Sequence, residues 1–323
     1  MNRSDFEFIP VIDLEGLSGG PNARRGVGKR MGAACERSGF LIIVNHGIPA
    51  DIINRMYSLT KEFFRLPLEE KLKVRTEFAD QAGGSGGYRP PGLTALARTL
   101  DADSPPDLVE TFGMRPVTGC DRNKWPERPV GFEIIWKEYY GLLDRLAMRL
   151  MRAFALALDL PEDWFDDKFD RATKYTSMLA NYYPPQTTAP LPGQLRRGAH
   201  TDYGSLTILL QDDTSGGLEV RDGNGDWRDA PRVPGSFLVN IGDLMAHWTN
   251  DQWVSTLHRV VNPAPEHADR DRLTIPFFHQ PDAEAVITCI PSCRSAARPA
   301  KHPPVTSGEW RDAKIRKGAV SYS

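Results

Sequence analysis

Cysteine is scarce in this chain. Four residues in 323, Cys35, Cys120, Cys289 and Cys293, are too few and too scattered for a disulfide framework. Cys289 and Cys293 stand close together, but no second cysteine pair or neighbouring histidine cluster completes a zinc site. Reduced, mostly buried thiols in a cytoplasmic protein are therefore expected. An excess of charge of either sign is also lacking: 40 Lys+Arg against 42 Asp+Glu leave a formal net charge of -2. That balance removes the electrostatic reason to expect a nucleic acid or a membrane surface as partner. No uninterrupted apolar run approaches the roughly 20 residues that span a bilayer. The opening stretch "MNRSDFEFIPVIDLEGL" carries acids and no long apolar segment, unlike a signal peptide. Internal repeats and low-complexity tracts are missing too.

What is present is an ordinary globular composition, 40% hydrophobic, long enough for one large domain or two. "FIPVIDL" (8–14) reads as a short strand, followed by a helix through "GKRMGAACERSG". "FLIIVNHGIP" (40–49) is an apolar run closed by a turn, as in a buried strand. Helical spacing follows from residue 49 to 74, broken by Leu66-Pro67, and "DQAGGSGGYRPPG" (80–92) reads as a loop. From Phe132 to Leu160 runs the strongest helix. Tyr139, Leu143, Leu146, Leu150, Phe154 and Ala157 recur at spacings of three and four and make one core-facing stripe. Beyond about residue 173 short apolar runs alternate with turns such as "DGNGDW", the texture of a β sandwich or barrel. The fold class expected is mainly β with flanking helices.

Within that block, "GAHTDYGSLTILLQDD" puts His200 and Asp202 on one side of an extended chain, because side chains alternate with a period of two. Two metal ligands would look like this. So would a hydrogen-bonded pair at the end of a core strand. "STLHRVVNP" supplies a third candidate, His258. Two histidines and a carboxylate that leave other positions open form the facial triad of non-haem Fe(II) oxygenases, where an organic co-substrate and dioxygen need those positions. "DRLTIPFF" then places Arg272 and Thr274 on one face of an apolar strand. A guanidinium beside a hydroxyl receives a carboxylate well, and a buried arginine requires an anion.

With these pieces assembled, the chain resembles the 2-oxoglutarate- and iron-dependent dioxygenases, in the branch of isopenicillin N synthase and the plant flavonoid and gibberellin oxygenases. The matching segments stand in family order: "PVIDL" (10–14), "SGFLIIVNHGIP" (38–49), "NYYPP" (181–185), "HTDYGSLTILLQD" (200–212), "GGLEV" (216–220), Trp227, "NIGD" (240–243), "TN" (249–250), "LHRVVNP" (257–263) and "RLTIPFF" (272–278). The likeness runs from residue 9 to about 282. It implies a double-stranded β-helix, or jelly roll, core over residues 171–282, an N-terminal helical and strand region (1–170) flanking it, and a C-terminal segment (283–323). It implies His200, Asp202 and His258 as Fe(II) ligands and Arg272 and Thr274 as the receptor for the distal carboxylate of 2-oxoglutarate. Thr274 stands where serine is usual and keeps the hydroxyl. Asn181 and Tyr183 match positions that touch the co-substrate in related enzymes. Leu179 stands where many plant members carry Arg or Lys, so that charged contact is missing.

The implied activity is oxidation of a C–H bond of a small organic substrate, hydroxylation being the default outcome, with 2-oxoglutarate and O2 consumed and succinate and CO2 released. Two alternatives share the same segments: an isopenicillin N synthase-like oxidase that does not use 2-oxoglutarate, and an ethylene-forming or aminocyclopropane-carboxylate-oxidase-like activity. Tyr88 and Arg89, after "GGSGG", are candidates to reach over the pocket, and Phe278 to line it. His46 is expected to be structural and His247 a strand residue near the site. His267, His279 and His302 are expected at the surface, and the "RR" runs to be solvated charge. Oligomeric state is not legible.

Overall fold

The computed structural model describes residues 3–76, 86–117, 121–169, 175–212 and 216–318. The N-terminal part supplies strands β1 (Val11–Asp13), β2 (Phe40–Val44), β3 (Gly87–Arg89) and β4 (Glu110–Met114). Its helices are α1 (Arg3–Phe8), α2 (Pro21–Arg37), α3 (Ala50–Phe64), α4 (Leu68–Leu72) and α5 (Phe132–Ala157). Then come β5 (Ser177–Tyr183), β6 (Arg197–His200), β7 (Leu206–Leu210), β8 (Leu218–Arg221), β9 (Trp227–Asp229) and β10 (Phe237–Ile241). Helix α6 (Asp243–Trp248) leads to β11 (His258–Val260) and β12 (Arg272–His279), and β13 (Val286–Ile287), β14 (Val305–Thr306) and α7 (Ser307–Gly318) finish the chain.

One sheet has the order β1-β2-β10-β7-β12-β5-β4-β3 and a second the order β6-β11-β8-β9; β13 and β14 pair separately. The β1–β2 pair is parallel and the pairs that follow it across the sheets are antiparallel. Two sheets closed over one interior make the double-stranded β-helix.

The period of two sorts every central strand of the larger sheet. On β2, Leu41 and Ile43 join the core beneath the helices, whereas Phe40 and Ile42 join the smaller core between the sheets. On β12, Leu273, Ile275 and Phe277 take the helix side; on β5, Met178, Ala180 and Tyr182 do. The alternate residues of both strands face the interior. Both faces of this sheet are covered, which is why "FLIIV" reads as a continuous apolar run. Helix α5 covers the helix side, with Tyr139, Leu143, Leu150 and Phe154 fully buried. Gly28 lets α2 lie close to it, since a Cβ there would stand 2.7 Å from the Ala153 carbonyl oxygen.

Several sequence expectations are corrected here. In "FIPVIDL" only Val11–Asp13 is strand, because Phe8 ends α1 and Pro10 has no N–H to donate. His247 is helical, on α6, with its ring 4.8 Å from that of His302. His279 is fully buried at the end of β12, stacked on Phe169 at 4.2 Å, its Nδ1 3.1 Å from the Ser205 hydroxyl. Arg196 and Arg197 are buried, although in the first "RR" pair Arg25 is exposed and Arg24 partly so. His267 is exposed, and His302 is partly exposed and 2.8 Å from Asp251. His46 sits in the connection between β2 and α3, where its Nδ1 accepts from the Ile48 N–H and its Nε2 donates to the Gly235 carbonyl. Cys35 and Cys293 are buried and Cys289 partly so, all three as free thiols; Cys120 lies outside the described residues. Residues 80–85 of the glycine-rich 80–92 stretch also lie outside them, and Gly87–Arg89 in its described part form β3.

Candidate active site

Strand pairing alone assembles most of the site. His200 on β6 is the direct cross-strand neighbour of His258 on β11. Asp202 follows β6 by two residues. Each imidazole turns its Nδ1 to a local carbonyl, His200 to Gly198 at 2.8 Å and His258 to Thr256 at 3.1 Å. That hydrogen bond fixes the proton on Nδ1 and leaves Nε2 with a free lone pair. The two Nε2 atoms stand 3.9 and 3.8 Å from Asp202 Oδ1, and all three ligand atoms lie within 4.8 Å of one another.

Asp202 is oriented from the opposite side. Its Oδ2 accepts from the Thr207 hydroxyl at 2.6 Å and from the Asn240 side-chain amide at 2.7 Å. Burial works to raise its pKa, but the two imidazoles and these two donors outweigh burial and hold it below the usual carboxylate value. Burial, with His258 beside it, pushes His200 down to about 3. The trio therefore offers two imidazole nitrogens and one carboxylate oxygen, the donor set of a divalent metal site with open positions.

Beside the trio, Arg272 and Thr274 on β12 pair directly with Tyr183 and Asn181 on β5. All four side chains line one cavity with His200, Asp202 and His258. Arg272 is 3% exposed, with Nε and Nη1 buried and without a partner, and its guanidinium lies 5.2 Å from the Tyr183 ring centre. A buried charge held in this way is poised for an anion. Asn181 Oδ1 accepts from Arg197 Nη2 at 3.2 Å, and Arg197 in turn faces Asp107 at 3.7 Å. Phe278 lines the cavity.

Tyr88 does not. It is fully buried on β3 against Phe63, and its hydroxyl donates to Glu110 at 2.7 Å, where Lys71 also binds. Its neighbour Arg89 is the residue of that pair that lines the cavity.

Asn240, Thr207, Arg197, Arg115 and Arg311 belong to the site and were not singled out from the sequence. For Asn240 and Thr207 a signal existed. Each is a polar residue at an interior-facing position of an otherwise apolar strand, "FLVNI" and "LTILL".

Two family models match the chain: the 2OG-Fe(II) oxygenase superfamily over residues 175–281, and the non-haem dioxygenase in morphine synthesis N-terminal family over residues 9–128. Homoarginine-6-hydroxylase 2-ODD-C23.1 of Arabidopsis thaliana is 32% identical over 305 residues, 90% of each chain. A 2-oxoglutarate-Fe(II) type oxidoreductase of Aspergillus fumigatus is 33% identical, over 93% of this chain and 90% of its own. Among solved structures, a full-length Neurospora crassa protein crystallised in complex with alpha-KG superimposes with a TM-score of 0.82 at 30% identity, covering 96% of this chain and 95% of that one. Identity of about a third over nine-tenths of both chains, on one shared fold, means that this chain belongs to the 2OG-Fe(II) oxygenase superfamily and is a dioxygenase that works with Fe(II), 2-oxoglutarate and O2.

Proposed function

We propose that His200 Nε2, Asp202 Oδ1 and His258 Nε2 hold the iron, and that Arg272 and Thr274 receive the distal carboxylate of 2-oxoglutarate. The observation that carries this is the pairing of a convergent donor trio, whose imidazoles are each held through Nδ1 by a backbone carbonyl, with a buried guanidinium whose Nε and Nη1 have no partner. Iron bound there, together with 2-oxoglutarate and O2, supplies the oxidising power for hydroxylating a C–H bond, with succinate and CO2 as co-products.

The chain's own residues do the rest. Thr207 and Asn240 keep the Asp202 carboxylate turned so that Oδ1 faces the metal position. Tyr183 packs against the Arg272 guanidinium, and Arg197 fixes the Asn181 amide, so both co-substrate contacts are set before binding. Phe278 and Leu209 line the same cavity and help exclude water from it.

The substrate is read as a small organic molecule, with neither nucleic acid nor membrane as partner. An interior cavity between two sheets and a near-neutral net charge support that reading. No helix among the described residues is long and apolar enough to cross a membrane. A cytoplasmic location is supported by the free thiols. The test is 2-oxoglutarate binding by calorimetry with Mn(II) in place of iron. Wild type should bind one equivalent, His258→Ala should lose metal-dependent binding, and Arg272→Met should weaken it. Equal binding by all three proteins would contradict the assignment.

A further inference from the structure

Arg272 is the first residue of β12, and both of its chain neighbours are tied to helix α3. The antiparallel ladder between β12 and β7 begins at the pair Ile275 and Leu210. Carried two residues back along β12, that register sets Leu273 opposite Asp212, where β7 has already ended. A side chain meets the Leu273 N–H there: it donates to Asp212 Oδ2 at 2.8 Å. The same oxygen accepts from the Tyr57 hydroxyl of α3, also at 2.8 Å. Asp212 is 1% exposed, so little water reaches it to replace a lost partner.

On the other side of Arg272 stands Asp271. Its Oδ1 lies 2.8 Å from Lys61 Nζ, and its Oδ2 accepts from the Tyr182 hydroxyl at 3.1 Å and from Arg65 Nη2 at 3.2 Å. Lys61 belongs to α3, Arg65 follows it directly, and Tyr182 is stacked on Phe64 of the same helix at 4.9 Å. Tyr57, Lys61 and Arg65 are spaced by four and so share one helix face. Lys61 and Asp271 are both largely buried, whereas Arg65 is 61% exposed, and exposed pairs contribute little.

The face thus grips β12 on both sides of Arg272. The Tyr183 ring packs against the guanidinium, but Nε and Nη1 hold no partner, so its place depends on the strand beneath it. Fixing both flanking residues fixes the direction in which a long side chain leaves the backbone.

We propose that α3 positions the co-substrate arginine. Tyr57 through Asp212, and Lys61 through Asp271, hold the residues that flank Arg272 and thereby set the preference of the site for a keto acid with a distal carboxylate. These are positioning residues: none of the four lines the cavity. The proposal rests on the assignment of Arg272 to the distal carboxylate of 2-oxoglutarate.

The test is anaerobic calorimetry on the Fe(II)-loaded protein with two probes, 2-oxoglutarate and 2-oxopentanoate. Both offer the same keto acid to the metal, and the second carries a methyl group where the first has its distal carboxylate. The ratio of the two affinities therefore reads the distal contact. In wild type 2-oxoglutarate should bind about tenfold or more tightly, the scale of a charge-assisted contact. Tyr57→Phe, Lys61→Met and Asp212→Ala should each lower that ratio about three- to tenfold, with Fe(II) affinity within about twofold of wild type. Asp212→Asn, which keeps an acceptor oxygen, should retain most of the ratio. Where Asp212→Ala fails to fold, Tyr57→Phe, which removes one hydroxyl, is read instead. In the Arg272→Met background the same substitutions should leave the ratio unchanged, because no guanidinium remains to be placed.

A general loosening of the fold would weaken both probes alike and keep the wild-type ratio. That result in every variant, or a fall of equal size in the Arg272→Met background, would overturn the proposal. A wild type that does not distinguish the probes, or an Arg272→Met protein that keeps the wild-type ratio, would overturn the assignment of Arg272 and this proposal with it. A lowered ratio in Arg272→Met beside unchanged ratios in the other variants would overturn the positioning role alone.

Discussion

Asn240 donates its side-chain amide to Asp202 Oδ2 at 2.7 Å, while Oδ1 of the same carboxylate faces both imidazoles. One residue on β10 thereby decides which oxygen of a residue beyond β6 is offered to the metal. Groups that orient a ligand without touching the metal typically matter by about 10–100-fold in affinity. Asn240→Leu should therefore weaken Fe(II) binding by about one to two orders of magnitude, with Thr207→Val acting in the same direction. Anaerobic Fe(II) titration checks this. A variant with wild-type affinity would mean that the Asp202 carboxylate needs no such support.

Arg272 should separate co-substrate from metal. Removing a charged hydrogen-bond donor costs roughly 1.5–3 kcal/mol, so Arg272→Met should raise the Kd for 2-oxoglutarate about ten- to a hundredfold. Fe(II) affinity should stay within about twofold, because no iron ligand contacts that side chain. Arg272→Lys should recover only part of the loss, since an ammonium cannot reproduce the bidentate fork. Equal weakening of both ligands would point to a damaged fold.

Gly39, in the turn before β2, has φ of +69°, and a Cβ there would overlap the carbonyl oxygen of Val254. The left-handed conformation alone costs a non-glycine residue about 1–2 kcal/mol. Gly39→Ala should destabilise the protein by about 2 kcal/mol or more, read as a lower urea midpoint. An unchanged midpoint would show that the turn can rearrange.

The convergence of His200, Asp202 and His258 and the burial of Arg272 beside them were legible because short-range spacing carries them. His200 and Asp202 share a strand edge, Arg272 and Thr274 share a strand face, and a period of two places both pairs inside. Tyr88 was misread for the converse reason. Its glycine-rich context suggests an exposed loop, but its burial is set by Phe63 on α3 and by Glu110 on β4. His279 and the 196–197 arginines were taken as surface charge, yet Phe169 and Ser205 enclose the first, and Arg197 reaches Asn181 on another sheet. Arg115 and Arg311 are isolated arginines in sequence. Only the fold brings both to one cavity.

The most direct measurement is the absorption spectrum of the metal-free protein, taken under anaerobic conditions with Fe(II) and then with 2-oxoglutarate. A metal held by His200, Asp202 and His258 and chelated by the keto acid would give a weak visible charge-transfer band on adding 2-oxoglutarate. It should be absent in His200→Ala and weakened in Arg272→Met. A protein that binds Fe(II) but never shows the band, or whose band survives loss of His200, would contradict the assignment.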